Sequence, residues 1–116
     1  MPSHEGSAPQ FKEEQVLTVF RSRRRREAEP AYQLLSRQME SSARSMPGFV
    51  DFKSFTADDG EQVSVVTFAT PADQRRWRDD LSHREAQRRG RDEFYEQYSI
   101  QVARCTHVSE WSRTPP

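Results

Sequence analysis

The order of strand-like and helix-like segments, β-α-β-β-α(α)-β, predicts one α+β domain with a four-stranded antiparallel sheet and helices on one face. Three observations lead to this prediction. Alternating β-branched and aromatic residues predict strands. A long segment with apolar residues at helical spacing predicts a helix. A turn sequence joins the two middle strands, so two βαβ-type crossovers enclose a hairpin in the split βαβ, ferredoxin-like arrangement.

The first half of the chain contains one strand and one long helix. Residues 15–21, QVLTVFR, predict a strand with apolar groups on both faces. Residues 29–46 predict a helix that ends before Pro47-Gly48. The apolar face of this helix consists of Tyr32, Leu35, Met39, Ala43 and Met46.

The second half begins with strands over 49–56 and 61–69, joined by a turn that contains Gly60. Phe49 and Phe55 alternate with Val50 and Phe52, so each face of that strand is again expected to carry apolar groups. A second helix is expected from an N-cap at Thr70 to about Asp80, with Trp77 on its inner face. A third helix carries Ala86, Gly90 and Phe94 at helical spacing, and a closing strand runs roughly from Ser99 to Val108.

The length of 116 residues suits one domain. Residues 1–14 are interpreted as a flexible leader, 15–111 as the domain and 112–116 as a tail. Apolar residues on the sheet face away from the helices predict a homodimer whose two sheets face each other.

Composition excludes several function classes. Cys105 is the only cysteine, so an internal disulfide and a cysteine metal finger are excluded. No apolar segment approaches the length of a membrane span and no secretory signal is present, so the expected location is the cytoplasm without membrane attachment. The run from Arg21 to Arg26 comes without net positive charge or aromatic platforms, so we expect a solvated loop and no nucleic-acid partner.

Several segments, in this order, carry a family resemblance. They are VLTVFR in the first strand, Met46 to Val50, the hairpin at Asp59-Gly60, the Thr70-Pro71 helix start, Trp77-Arg78, and the segment from His83 to Tyr98. Over residues 15–111 the chain resembles the antibiotic biosynthesis monooxygenase family, small dimeric α+β barrels of ferredoxin-like protomers.

The resemblance implies a pocket between sheet and helices that oxidises electron-rich polycyclic phenols or quinols with O₂, without metal or flavin. Such a site takes a proton from the substrate, holds the resulting anion and excludes water. Aromatic walls, one base and one cationic or amide donor are sufficient for these tasks.

Three candidate residues lie in the segment that begins at Trp77. Trp77 is either a pocket wall or a core residue. His83 is either the catalytic base or a cap beside Ser82 at the helix start. Gln87 either orients a carbonyl or peroxide group or lies on the surface.

Further candidates come from other elements. Tyr95 is preferred over Tyr98 as the pocket hydroxyl, because both cannot face inward on one helix with Phe94. Arg21 suits a phenolate and, with Tyr32, is expected to enter from the first strand and first helix. The remaining expected substrate-binding residues are Phe52 and Phe68.

One departure from the family keeps alternatives open: the chain contains no asparagine. The haem-degrading branch uses an Asn, a Trp and a His ligand, and Gln87 stands where that ligand would fall, so no haem and no metal are expected. His4 and His107 lie near the chain ends and form no ligand cluster with His83. The alternatives to a monooxygenase are a non-catalytic small-molecule or haem-binding barrel, and a module that uses the arginine run on an acidic partner.

Overall fold

A computed structural model describes residues 10–26 and 29–113, without the side chains of residues 29, 30 and 81–83. A π-helical segment, Gly90–Phe94, lies between the last helix and the last strand. The other elements are β1 (Val16–Arg24), α1 (Glu29–Arg44), β2 (Phe49–Thr56), β3 (Gln62–Phe68), α2 (Pro71–Asp79), α3 (Leu81–Arg89) and β4 (Tyr95–Arg104).

The sheet has the strand order β2-β3-β1-β4, and all three neighbouring pairs are antiparallel. The two helical crossovers therefore place β1 and β3 side by side in the centre of the sheet. This topology confirms the predicted fold class for the protomer. Most of the predicted leader, residues 1–9, lies outside the described residues.

The start of α2 is capped by Thr70 and packs against the turn that follows α1. The Thr70 hydroxyl accepts a hydrogen bond from the Asp73 backbone N–H at 3.1 Å and donates one to the Asp73 carboxylate at 2.9 Å. This is the predicted N-cap. Gly48 has a φ of +79°, and a Cβ at this position would overlap the Asp73 carboxylate. Residue 48 must therefore be glycine both for its backbone conformation and for the space it leaves.

Both clusters of buried residues lie between the helices and the sheet. One is formed by Leu35, Ala86 and Phe94, with Tyr32 and Met39 packed against it. The other contains Ala43, Val66, Phe68 and Trp77, with Met46, Phe49 and Phe52 around it. The predicted apolar face of α1 is confirmed, since every one of its members contributes to one of these clusters.

The predicted boundaries of two strands are wrong. β1 continues to Arg24, so most of the arginine run is strand rather than loop. β4 runs from Tyr95 to Arg104 rather than roughly from Ser99 to Val108. The cause is long-range pairing, because the β1–β4 ladder extends to Arg24 and Tyr95 and the Arg25 N–H donates to the Phe94 carbonyl at 2.7 Å.

An irregularity in β2 changes which phenylalanines share a face. Phe49 pairs with Phe68, whereas Asp51 pairs with Thr67, so Val50 is an extra residue in β2. A bulge of this kind shifts the alternation of side chains by one. Phe49 therefore packs on the helix side at 6.0 Å from the Phe68 ring, together with Phe52. The prediction that Phe49 shares a face with Phe55 is wrong.

Candidate functional site

The candidate site is a pocket between the helix-covered face of the sheet and the three helices. Its cavity volume is about 70 Å³. Its aliphatic lining includes Met39, Ile100 and Val102, and the last two are also partly exposed to solvent. The aromatic walls are Phe20, Tyr32, Phe52, Trp77, Tyr95 and Tyr98.

Trp77 combines the two roles that the sequence left open. It is 3% exposed and belongs to the core, and it also lines the pocket. Its ring lies 5.3 Å from the ring of Phe68, which is fully buried. Phe68 supports Trp77 from behind and does not line the pocket, so its expected place as a substrate-binding residue is corrected.

Tyr95 and Tyr98 both line the pocket, which corrects the expectation that only one of them faces inward. They lie on β4 and not on a helix. Arg23 pairs with Gln97, but Arg24 pairs with Tyr95, so Glu96 is an extra residue in β4. The bulge changes the alternation, and two residues at an odd spacing therefore share the helix-covered face.

The π-helical segment determines where the Tyr95 ring lies. A Cβ on Gly90, the first residue of this segment, would lie 2.5 and 2.9 Å from two ring carbons of Tyr95. Gly90 is buried, and the missing side chain leaves the space that this ring occupies. Insertions of this type are frequent at functional sites. Ala86, Gly90 and Phe94 are all buried, as their spacing predicted.

Tyr95 is a neutral phenol surrounded by other aromatic rings. Its ring lies 5.5 Å from Phe20 and 5.7 Å from both Tyr32 and Tyr98. Burial raises the pKa of Tyr95 well above its usual value, and the neighbouring Tyr32 side chain raises it further. Arg24, whose guanidinium carbon lies 4.4 Å from the Tyr32 ring centroid, acts weakly in the opposite direction. At neutral pH Tyr95 can therefore donate a hydrogen bond but cannot act as a base.

A buried polar pair in the pocket was missed from the sequence. The Gln74 side-chain amide donates to the Thr18 hydroxyl at 3.2 Å, and both residues line the pocket. Gln74 is 3% and Thr18 is 5% exposed. The available signal was the spacing of Gln74, three residues before Trp77 and hence on the same face of α2.

Arg21 lies on the other face of the sheet, so its expected entry into the pocket is corrected. Alternation along β1 places it opposite Phe20, and its guanidinium binds both carboxylate oxygens of Glu61, with the shortest distance 2.7 Å. Arg23 is similarly paired with Asp59 at 2.7 Å. Among the side chains that the structure describes, Arg78 is a cationic residue that does line the pocket.

The other predicted site residues have the following positions. Tyr32, Phe52 and Gln87 line the pocket. The side chain of His83, the predicted base, lies outside the described residues. Within the part of the chain that the structure describes, no group of three or more His, Cys, Asp or Glu residues is arranged to hold a metal ion. Nor does any helix there have the length and apolar character needed to cross a membrane.

Comparison with known proteins supports the fold. No family model matches the chain. YqjZ of Bacillus subtilis, an uncharacterized protein, is 30% identical over 78 residues, which is 67% of this chain and 68% of YqjZ. SnoaB, a cofactor-independent oxygenase from Streptomyces nogalater, has a TM-score of 0.66 and 13% identity over 88% of this chain and 99% of its own.

A protein from Nitrosomonas europaea assigned as an antibiotic biosynthesis monooxygenase has a TM-score of 0.70 and 13% identity. The match covers 82% of this chain and 93% of that one. These structures share the order of elements that the sequence predicted. The chain belongs to the same family as YqjZ, and its fold is that of the antibiotic biosynthesis monooxygenases.

Proposed function

We propose that the protein is a cofactor-independent monooxygenase that oxidises an electron-rich aromatic phenol or quinol with O₂. The observation that carries this proposal is a pocket walled by aromatic rings that contains a neutral phenol, Tyr95, and a buried amide, Gln74. Apolar walls with a few polar groups suit a flat aromatic ligand. SnoaB, which has the same fold, is a cofactor-independent oxygenase.

The reaction needs no external reductant. In an anthrone-type substrate, the CH₂ carbon loses both hydrogens and gains one oxygen atom as a ketone. The second atom of O₂ leaves as water with those two hydrogens, so the substrate supplies all four electrons. The protein must then favour the deprotonated substrate, hold it in one orientation and keep water from the intermediate.

The pocket residues suit these tasks in different ways. Tyr95 donates a hydrogen bond to the oxygen of the substrate anion, and it stays protonated because burial raises its pKa. Trp77, Phe52 and Tyr32 hold the ring plane. His83 is the proposed proton acceptor, because it stands four residues before the pocket residue Gln87 in α3 and imidazole is the side chain that ordinarily exchanges protons near neutral pH.

We further propose a homodimer, in which a second copy covers the sheet face away from the helices. This open face carries Leu17, Val19, Val63 and Val65, which are half-buried, and Phe55, which is 49% exposed. Burial of such apolar groups against a second copy is favourable. Sedimentation at micromolar concentration tests the proposal: the wild type sediments as a dimer and Leu17→Lys as a monomer. A monomeric wild type would contradict it.

The monooxygenase proposal is tested by O₂ consumption with a panel of anthrones and naphthols, and with ¹⁸O₂ to locate the incorporated atom. We expect turnover above the buffer rate and one labelled atom in the ketone product. His83→Ala and Trp77→Phe should each lower turnover, and unchanged rates in both would remove these residues from the site. Binding of the panel without O₂ consumption would identify a non-catalytic binding protein instead.

A haem-binding alternative receives little support from the pocket residues. Gln87 lines the pocket at the position where the resemblance places a histidine ligand. An amide is not among the usual axial ligands of haem iron, which are His, Cys, Met and Tyr. A Soret band in the purified protein would restore this alternative.

A further inference from the structure

Two polar pairs stand at different places along the pocket. The first pair is Gln74 and Thr18, which joins α2 to β1 by a side-chain hydrogen bond of 3.2 Å. The second pair is Tyr95 and Tyr32, which joins β4 to α1 by ring contact at 5.7 Å. All four residues line the same pocket. The pocket therefore has two polar ends, and we refer to them as the amide end and the phenol end.

The amide end has hydrogen-bonding capacity beyond its internal bond. The bond to Thr18 uses one of the two N–H donors of the Gln74 amide, and the Thr18 hydroxyl accepts it and so keeps its own O–H to donate. Both residues are at least 95% buried. A buried amide is costly unless its groups find partners, so this end of the pocket favours a ligand that carries an oxygen acceptor.

The phenol end has a comparable donor. Tyr95 is a protonated hydroxyl that lines the pocket, and Gly90 leaves the space that positions its ring. Arg24 stacks on Tyr32 at 4.4 Å, which places a positive charge behind the tyrosine pair. An oxygen atom with partial or full negative charge is therefore favoured here as well.

Most of the surface between the two ends is apolar. Ser64, the β3 partner of Phe20, also lines the pocket, but its hydroxyl is already hydrogen-bonded to that of Ser54. Phe20 separates the two ends: it stands two residues after Thr18 on the same face of β1, and its ring lies 5.5 Å from the ring of Tyr95. Phe52 and Trp77 form the neighbouring walls. A flat hydrocarbon surface fits this middle region, and a polar group there would lose its hydrogen bonds to water.

We propose that the pocket selects planar aromatic molecules that carry oxygen at both ends, one bound by Gln74 and Thr18 and the other by Tyr95 and Tyr32. This inference rests on the proposed function, since it names the substrate class of the same site. It predicts that an aromatic ring system with a single oxygen leaves the polar pair at one end of the pocket without a hydrogen-bond partner on the ligand. Hydroxylated anthrones and naphthalenediols belong to the selected class, whereas simple naphthols do not.

The test uses binding in the absence of O₂, so that it does not depend on turnover. The probes are a naphthol with one hydroxyl and the naphthalenediol with hydroxyls at both ends of the long axis. Quenching of Trp77 fluorescence reports binding, in a Trp111→Phe background because Trp111 is 77% exposed and is the second tryptophan. We expect the diol to bind roughly 10-fold more tightly than the naphthol, about the effect of one added hydrogen bond.

Variants of the amide end and the phenol end distinguish a pocket that selects ligands by hydrogen bonds at both ends from one that binds them only by apolar contact. Gln74→Leu and Tyr95→Phe should each weaken the diol roughly 10-fold, but the naphthol at most ~3-fold, because the naphthol can turn round and use the intact end. Thr18→Val provides a second variant of the amide end in case Gln74→Leu does not fold. Arg21→Gln, on the opposite sheet face, is the matched control and should leave both affinities unchanged.

Some outcomes would overturn the inference. Equal affinity for the two probes would do so, as would an equal loss for both probes in the variants. O₂ consumption is then measured separately with the same probes. Selective diol binding without any turnover would leave this inference standing and contradict the monooxygenase proposal. Turnover that is equally fast with the naphthol and the diol would contradict the inference alone.

Discussion

The two faces of the sheet are both apolar, but they differ in what lies against them. Val65 and Val66 are neighbours on β3 and point in opposite directions. Val66 faces the helices and is 2% exposed, whereas Val65 is half-buried on the open face. The helix-covered face carries the pocket and the aromatic residues around it, while the open face carries aliphatic groups and the Arg21–Glu61 ion pair.

The alternation of side chains along a strand therefore predicts which face of the sheet a residue lies on, but not what covers that face. α1, α2 and α3 supply the cover on one side, and their side chains complete the pocket. On the other side, the described residues form a shallow groove that includes Phe11, Leu17 and Phe55. Predictions that treat the two faces differently therefore test both the site and the proposed dimer.

The largest expected effect is the removal of the Trp77 side chain. Trp77→Ala should lower the free energy of unfolding by about 3–5 kcal/mol, because it leaves a cavity beside Phe68 on the covered face. Trp77→Phe keeps most of the packing and should cost much less. Urea denaturation of both variants measures the difference. A cost below about 1 kcal/mol for the alanine variant would show that Trp77 is not part of the core.

The pair Val66→Ala and Val65→Ala compares the two faces directly. Val66→Ala should cost about 2 kcal/mol from lost burial and a residual cavity. Val65→Ala should cost less than about 1 kcal/mol at low protein concentration, and more at high concentration if a second copy covers it. Urea denaturation at two concentrations separates these effects. If Val65→Ala and Val66→Ala lowered the free energy of unfolding equally at both protein concentrations, the distinction between the faces would be removed.

Gly90→Ala tests how the π-helical segment shapes the covered face. The new Cβ would overlap the Tyr95 ring, so the ring must move, at a cost of roughly 1–3 kcal/mol. We also expect weaker binding of the naphthalenediol probe, because Tyr95 leaves the phenol end of the pocket. The double variant with Tyr95→Ala, which removes the ring, provides the control and should show no further loss from the Gly90 change. Full affinity in Gly90→Ala alone would contradict this account.

The smallest expected effect concerns the ionisation of Tyr95. Its folded-state pKa is raised, mainly by burial, so above the usual tyrosine pKa of about 10 the unfolded chain releases a proton that the folded protein retains. Stability should therefore be unaffected by this group below pH 10 and should fall above it, by at most about 1.4 kcal/mol per pH unit. Urea denaturation of the wild type and Tyr95→Phe across this range measures the slope. Equal slopes would show that Tyr95 titrates normally.

Much of the architecture could be predicted from local sequence. Thr70 determines where α2 begins through hydrogen bonding, and Gly48 forms the turn before β2 through its positive φ; both are local properties. The spacing of apolar residues along α1 predicts its inner face, and those residues do pack in the two buried clusters. For the site, the sequence offered Trp77, Gln87 and Tyr32 as pocket candidates, and all three line the pocket because residues on the inner face of a helix reach the space above the sheet.

Only the tertiary structure decided the remaining features. The bulges at Val50 and Glu96 depend on how neighbouring strands pair, and they moved Phe49 and Tyr95 to the covered face. The same pairing extended β1 through Arg24 and kept Arg21 on the open face beside Glu61. Gln74 became a pocket residue through its contact with Thr18, 56 positions away in the chain. Strand alternation is a local pattern, but its register is set by partners that are distant in sequence.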